Sequence, residues 1–181
     1  MTLFSLLQPD LFLGGPITEI TPAILKHYSL KGLILDVDET LVPWYHSDVS
    51  QELRAWLEEI KSVTPSLWLV SNNLSQARIG SIAKSLDLPY LLGAGKPSRR
   101  KLKLALEQMQ LPESSVAMVG DRLFTDVLAG NRLGLFTILV EPVTKNTQTE
   151  KSWTHKIRNW EIYLSQAAGV SLKQGNDFLK K

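Results

Sequence analysis

Residues 31–44 read KGLILDVDETLVPW, and this stretch decides the fold class. The apolar run Gly32-Leu33-Ile34-Leu35, bounded by polar residues, predicts a strand buried on both faces of a parallel sheet. Asp36 and Asp38 follow in alternation, with Thr40 two residues further on. The C-terminal end of such a strand borders the crevice in which open α/β sheets bind ligands. Two apart in extended backbone, both carboxylates project to one side and Val37 to the other. Paired carboxylates at that mouth call for a hard cation, and Mg²⁺ suits oxygen ligands. For this segment alone, a plain Asp-rich turn without chemistry is the alternative.

Upstream, residues 1–15 form an arm expected to pack on the domain, with a hydrophobic contact to membrane or partner as the sharper alternative. Thr21-Pro22 predicts an N-cap followed by proline at the first helical position, opening a short helix through His27. Downstream, Val49, Leu53, Trp56, Leu57 and Ile60 share one helical face, with Asp48 and Gln51 as the expected cap. A strand over 67–70 runs into Ser71-Asn72-Asn73. Ile79, Ile82, Ala83 and Leu86 mark the next helix. A short strand over 90–92 leads into Gly93-Ala94-Gly95-Lys96-Pro97. Leu102, Ala105, Leu106 and Met109 mark a third helix. The strand over 116–119 ends in Gly120-Asp121, a helix over 126–133 closes at Gly134, and residues 136–140 make the fifth strand.

Alternation of strand and helix predicts an α/β fold with a five-stranded parallel sheet and helices on both faces. One helix alone separates the first two strands, which leaves no room for a cap domain. The expected division is an arm and short helix over 1–30, a catalytic core over 31–142, and a loop, amphipathic helix and polar tail over 143–181.

The bulk composition narrows the function classes. Of 181 residues, 44% are hydrophobic and 21% charged, as in a soluble globular protein. Net charge is only +2, so general nucleic-acid binding is not expected. With no cysteine there is neither disulfide, thiolate metal site nor cysteine nucleophile. No apolar run approaches the roughly 20 residues of a transmembrane helix, and residues 1–12 lack a signal peptide's basic start, so the expected location is cytoplasmic. His27, His46 and His155 are scattered and show no metal-ligand spacing.

The strand ends collect Asp36 and Asp38, then Ser71 and Asn72, then Asp121, and the loop before the third helix adds Lys96. In a parallel sheet these ends share one edge, so the residues converge in one crevice. A carboxylate nucleophile, a second carboxylate, hydroxyl and amide donors and an ammonium together suit phosphoryl transfer. The carboxylate takes the phosphoryl group, splitting one hard step into two. Cationic groups offset charge on the transferring oxygens, and donors hold them in line.

In order, DVDETL, VSNN, GKP and VGDRLFTD resemble the four motifs of the haloacid dehalogenase (HAD) superfamily of phosphotransferases, over residues 33–140. The resemblance implies a single-domain Rossmann-like fold with Asp36 as nucleophile and Asp38 as general acid/base. It implies phosphate binding by Ser71 and Lys96, with Asn72 beside them. It also implies Mg²⁺ held by Asp36, Asp38 through its main-chain carbonyl, Asp121 and Asp126. More narrowly, PITEITPAILK, DVDETLVPW and GDRLFTDVLAGNRLGLFTILVEP resemble the small capless phosphatases that include phosphatidylglycerophosphate phosphatases. That likeness runs over about residues 6–160 and implies dephosphorylation of phosphatidylglycerophosphate to phosphatidylglycerol. Many members carry Asn where this chain has Glu39, which is expected to point away from the site. The alternatives are a phosphatase of a soluble ester (nucleotide, sugar phosphate or phosphoprotein) and a non-catalytic binding protein. The full acid set argues against the last.

Two features bear on membrane contact. Arg99, Arg100, Lys101 and Lys103 form a local basic cluster, or else a solvated helix face. Trp153, Ile157, Trp160 and Leu164 make one helical stripe suited to a lipid interface or to packing on the sheet. Trp44 and Tyr45 either line the site entrance or fill the core beneath it.

Overall fold

The computed structural model describes residues 3–143, 160–163, 166 and 169–172. Among these, the order is β1 (Leu11–Phe12), α1 (Pro22–His27), β2 (Gly32–Leu35), α2 (Gln51–Val63), β3 (Ser66–Val70) and α3 (Gln76–Leu86). Then come β4 (Tyr90–Leu91), α4 (Arg100–Met109), β5 (Val116–Gly120), α5 (Leu128–Leu133) and β6 (Phe136–Leu139). All strand pairs are parallel, in the order β1-β6-β5-β2-β3-β4. The motif strand β2 sits at the centre, buried along its whole length, as its unbroken apolar run requires.

Strand alternation sorts the core into two layers. Leu33, Leu35, Leu67, Leu69, Ala117 and Val119 face Leu53, Trp56, Leu57, Ile60, Ile79 and Ile82 of α2 and α3. Ile34, Val70, Val116 and Met118 face Leu102, Ala105, Leu106 and Ala129 of α4 and α5. Trp56 is a core residue whose indole N–H donates to the Ile20 carbonyl at 2.8 Å. Thr21 caps α1 as expected, its hydroxyl accepting from the Ile24 N–H at 3.3 Å.

Three local expectations are corrected. The sheet has six strands, not five, because residues 11–12 of the arm pair with β6. Asp10 hooks this short strand in place, accepting from the Thr137 N–H at 2.8 Å and its hydroxyl at 2.9 Å. The cap of α2 is not Asp48 with Gln51 but Ser50, whose hydroxyl accepts from the Leu53 N–H at 3.1 Å. The helix expected over 126–133 starts as a π turn, Leu123–Val127, before α5. Such turns occur mostly as single-turn bulges, frequently at functional sites.

Leu7 packs with Leu123, Val127, Leu128, Leu139 and Val170, so the arm, the π turn and residue 170 share a third apolar cluster. Of the proposed terminal stripe, Trp153, Ile157 and Leu164 lie outside the described residues, and Trp160 is exposed. No helix among the described residues is long and apolar enough to cross a membrane.

Candidate active site

The C-terminal ends of β2, β3 and β5 and the loop after β4 meet at one edge of the sheet. Asp36 continues the β2 ladder, its N–H donating to the Val119 carbonyl at 2.9 Å. Val37 turns into the core, fully buried. The buried Lys96 ammonium lies 2.5 Å from Asp36 Oδ1 and 2.7 Å from Asp126 Oδ1, and donates to the Val70 carbonyl at 2.9 Å. Thr40, also buried, donates to Asp36 Oδ2 at 3.4 Å. Lys96 is therefore a fixed bridge between the first and last motifs.

Carboxylate oxygens of Asp36, Asp121 and Asp126 lie within 4.8 Å of one another, and all three residues are buried. The Asp36 carboxyl is raised to about 7, with burial lifting it most, Lys96 pulling it down and Asp126 pushing it up. Burial by itself would lower Lys96, but the Asp126 and Asp36 carboxylates outweigh it and raise its pKa. Three buried carboxylates against one ammonium leave the cluster short of positive charge. Hard oxygen donors at this spacing suit a divalent cation such as Mg²⁺. The backbone makes room for the cluster, since a Cβ at Gly120 would lie 2.4 Å from the Asp126 carboxylate. The motif glycine lets that acid approach β5 closely.

Asp38 is placed differently from Asp36. Its side chain is about a quarter exposed and stands outside the three-carboxylate cluster. Arg78 of α3 pairs with Asp38 Oδ1, while the Ser71 hydroxyl and the Asn73 amide each donate to Oδ2 at 3.3 Å. The same guanidinium donates to the His46 carbonyl at 3.0 Å and the Pro43 carbonyl at 2.9 Å. One side chain thus ties the acid, α3 and the loop after β2 together.

Asn72 was expected beside the phosphate but is committed elsewhere. It accepts from the Lys96 N–H at 2.7 Å and donates to the Lys96 carbonyl at 3.2 Å. Its place is to clamp the Lys96 loop. Arg78 and Asn73 were missed from the sequence. Asn73 was readable, because an extended chain puts it on the same side as Ser71, with Asn72 opposite. Arg78 carries no such signal, since it reads as a polar position on an amphipathic helix.

Glu39 sits at φ 64° and is buried, its carboxylate accepting from the Trp44 N–H at 3.1 Å. Left-handed backbone favours Asn over Glu. Trp44 and Tyr45 are 50% and 42% exposed, so they do not fill the core. Beyond Asp121, Arg122 donates to Glu161 at 2.5 Å, tying the later segment to the site. Burial pushes the Glu161 carboxyl up, and Arg122 draws it back.

A family model described as HAD-hydrolase-like matches residues 93–159. The chain is 38% identical over 138 residues to "Probable phosphatase YqeG" of Bacillus subtilis (strain 168), covering 76% of this chain and 79% of that protein. It is 30% identical over 149 residues to "Phosphatidylglycerophosphate phosphatase 1, chloroplastic/mitochondrial" of Arabidopsis thaliana. That match covers 78% of this chain but only 42% of the plant protein. Its fold resembles the crystal structure of an uncharacterized protein from Listeria monocytogenes serotype 4b. There the TM-score is 0.53 at 19% identity, over 68% of this chain and 85% of the other.

Proposed function

The chain belongs to the haloacid dehalogenase family of phosphatases, and from that premise we propose a Mg²⁺-dependent phosphomonoesterase that works through an aspartyl-phosphate on Asp36. The observation that carries the reading is the Asp36 carboxylate itself, held at the sheet edge by Lys96 and Thr40 beside two further buried acids.

An Asp36 oxygen attacks phosphorus, the phosphorus–ester oxygen bond breaks, and Asp38 delivers its proton to the leaving oxygen. Asp38, now a carboxylate, takes a proton from water as the water oxygen attacks phosphorus. The acyl-phosphate bond breaks, orthophosphate leaves and Asp36 is restored. Lys96 and Ser71 hold the phosphoryl oxygens, the Ser71 hydroxyl exchanging its bond to Asp38 for one to the substrate, and Asn72 keeps the Lys96 loop in place. Mg²⁺ on Asp36, Asp121, Asp126 and the Asp38 carbonyl would supply further positive charge against those oxygens. Arg78, Ser71 and Asn73 aim the Asp38 carboxylate at the ester oxygen.

Asp38→Asn is expected to lower turnover by roughly 10²–10⁴-fold. With an aryl phosphate, whose leaving group needs little protonation, this variant should release a burst of aryl alcohol and then stall. An equal loss in burst and steady rate would show that Asp38 does not activate water.

Metal binding has its own readout. Mg²⁺ at about 100 times its dissociation constant should stabilise the substrate-free protein by about 2.7 kcal/mol. Asp121→Asn should remove most of the thermal shift. An undiminished shift in that variant would place the ion elsewhere.

For substrate, we propose phosphatidylglycerophosphate. The plant relative's name supports this reading, as does an uncapped site with Trp44 and Tyr45 exposed on the loop after β2. The experiment is phosphate release from that lipid in mixed micelles, run beside a panel of soluble phosphomonoesters. Release by the wild type and none by Asp36→Asn is expected. Mg²⁺-dependent cleavage of the soluble esters alone would overturn the lipid assignment and leave the chemistry standing.

A further inference from the structure

On the α4–α5 side of the sheet, Arg99, Arg100 and Lys103 line one open groove with Arg132 of α5. The groove has a volume of about 750 Å³, and among the described residues Glu113 is the one acid lining it. Among the described residues, none of these four cations is in an ion pair. Two observations make this more than a solvated helix face.

The first is a crossed clamp. Arg99 Nη1 donates to the Arg132 carbonyl at 3.0 Å, and Arg132 Nη1 donates to the Pro97 carbonyl at 3.0 Å. Each guanidinium is anchored on a backbone carbonyl of the other's segment, so two exposed positive charges line the same groove in fixed positions. An anion bound in the groove gains from both. The long side chains are also ordered in advance, which lowers the cost of binding.

The second is the charge of the α4 start. Helix N-termini carry partial positive charge and favour acidic residues. The first turn of α4 has no acid and instead opens Arg100-Lys101-Leu102-Lys103. The helix N-cap, Arg99, makes no capping side-chain hydrogen bond. A bound anion would repair both defects at once.

We propose that this groove is a second anion site, built for a ligand carrying two or more closely spaced phosphoryl oxyanions. Guanidinium forks match phosphate geometry. A cavity of this size exceeds one orthophosphate and falls in the range of small-molecule sites. The groove is separate from the catalytic residues but touches them indirectly, because Pro97 follows Lys96. An anion on Arg132 therefore steadies the segment that delivers the buried ammonium. The binding site does not rest on the phosphatase reading. A free phosphorylated small molecule and the headgroups of an anionic phospholipid surface share this chemistry.

The test is calorimetric titration of the full chain in chelator with inorganic pyrophosphate, and sedimentation with phosphatidylglycerol or phosphatidylcholine vesicles. Arg100→Gln with Lys103→Gln is the key variant, since among the described residues neither side chain makes a hydrogen bond. Lys101→Gln removes one charge from the same helix outside the groove. Pyrophosphate affinity should fall at least tenfold in the double variant and stay within about twofold in Lys101→Gln. If phosphatidylglycerol vesicles bind with that same pattern and pyrophosphate does not, the headgroup is the source and the site stands. Equal binding by wild type and double variant, or binding that tracks total charge alone, overturns the proposal. So does failure of both probes to bind.

Discussion

Asp36→Asn is expected to lower phosphate release by at least about 10⁴-fold, the scale seen when a covalent nucleophile is removed. An amide oxygen in the same place accepts from Lys96 and Thr40 but forms no stable acyl phosphate. The fold should survive, because the change removes one of three crowded carboxylates rather than a partner of an isolated cation. Stability supplies an independent check. The Asp36 carboxyl rises from 3.8 to about 7, chiefly through burial, so the folded chain binds this proton more tightly than the unfolded chain. Its contribution to stability is therefore present at low pH and declines as pH rises across that window. In chelator, wild-type melting should show this slope between 3.8 and about 7, and the Asn variant should lack it. Near-normal turnover in the variant would end the covalent mechanism, whatever the melting curves show.

Lys96→Met should fail in both folding stability and activity. The side chain is almost fully buried and stands between the carboxylates of Asp36 and Asp126. Methionine fills a similar volume but leaves those two charges without their shared cation. Removing one partner from a buried ionic group typically costs about 3–5 kcal/mol. Denaturant melts in chelator would read this directly. Saturating Mg²⁺ should return part of the stability, because the ion answers the same charge deficit. Turnover should stay down by about 10²–10³-fold, the usual effect of losing one group that stabilises developing charge. Full recovery of activity with metal would reassign Lys96 from phosphate binding to a purely structural role.

Much of the sheet and the placing of its acids were legible because they are written locally. The run Gly32–Leu35 reads as a buried strand, Asp36 and Asp121 sit where such strands end, and Lys96 lies in the loop after β4. Thr21-Pro22 and Gly134 punctuate their helices by the same short-range rules. What escaped depends on distant partners. Two residues, Leu11 and Phe12, become a strand only because β6 and Thr137 lie beside them. Ser50 wins the cap of α2 over Asp48 by the exact entry of the chain, which spacing alone does not decide. Arg78 meets Asp38 beside the Pro43 and His46 carbonyls, more than thirty positions away in the chain. Asn72 holds a loop because its side chain meets the Lys96 backbone, a partner 24 positions away.

The pairing of β1 with β6 also sets an order of events during synthesis. Asp10 and Thr137 are separated by 127 positions, so the arm has no berth until nearly the whole core has left the ribosome. Until then Leu7, Leu11 and Leu13, all buried at the end, are exposed on a nascent chain. Contacts of such long range are the slow ones, and uncovered apolar segments are where aggregation starts. Closure of the sheet is thus a late event, and an arm that precedes the core in the chain settles after it.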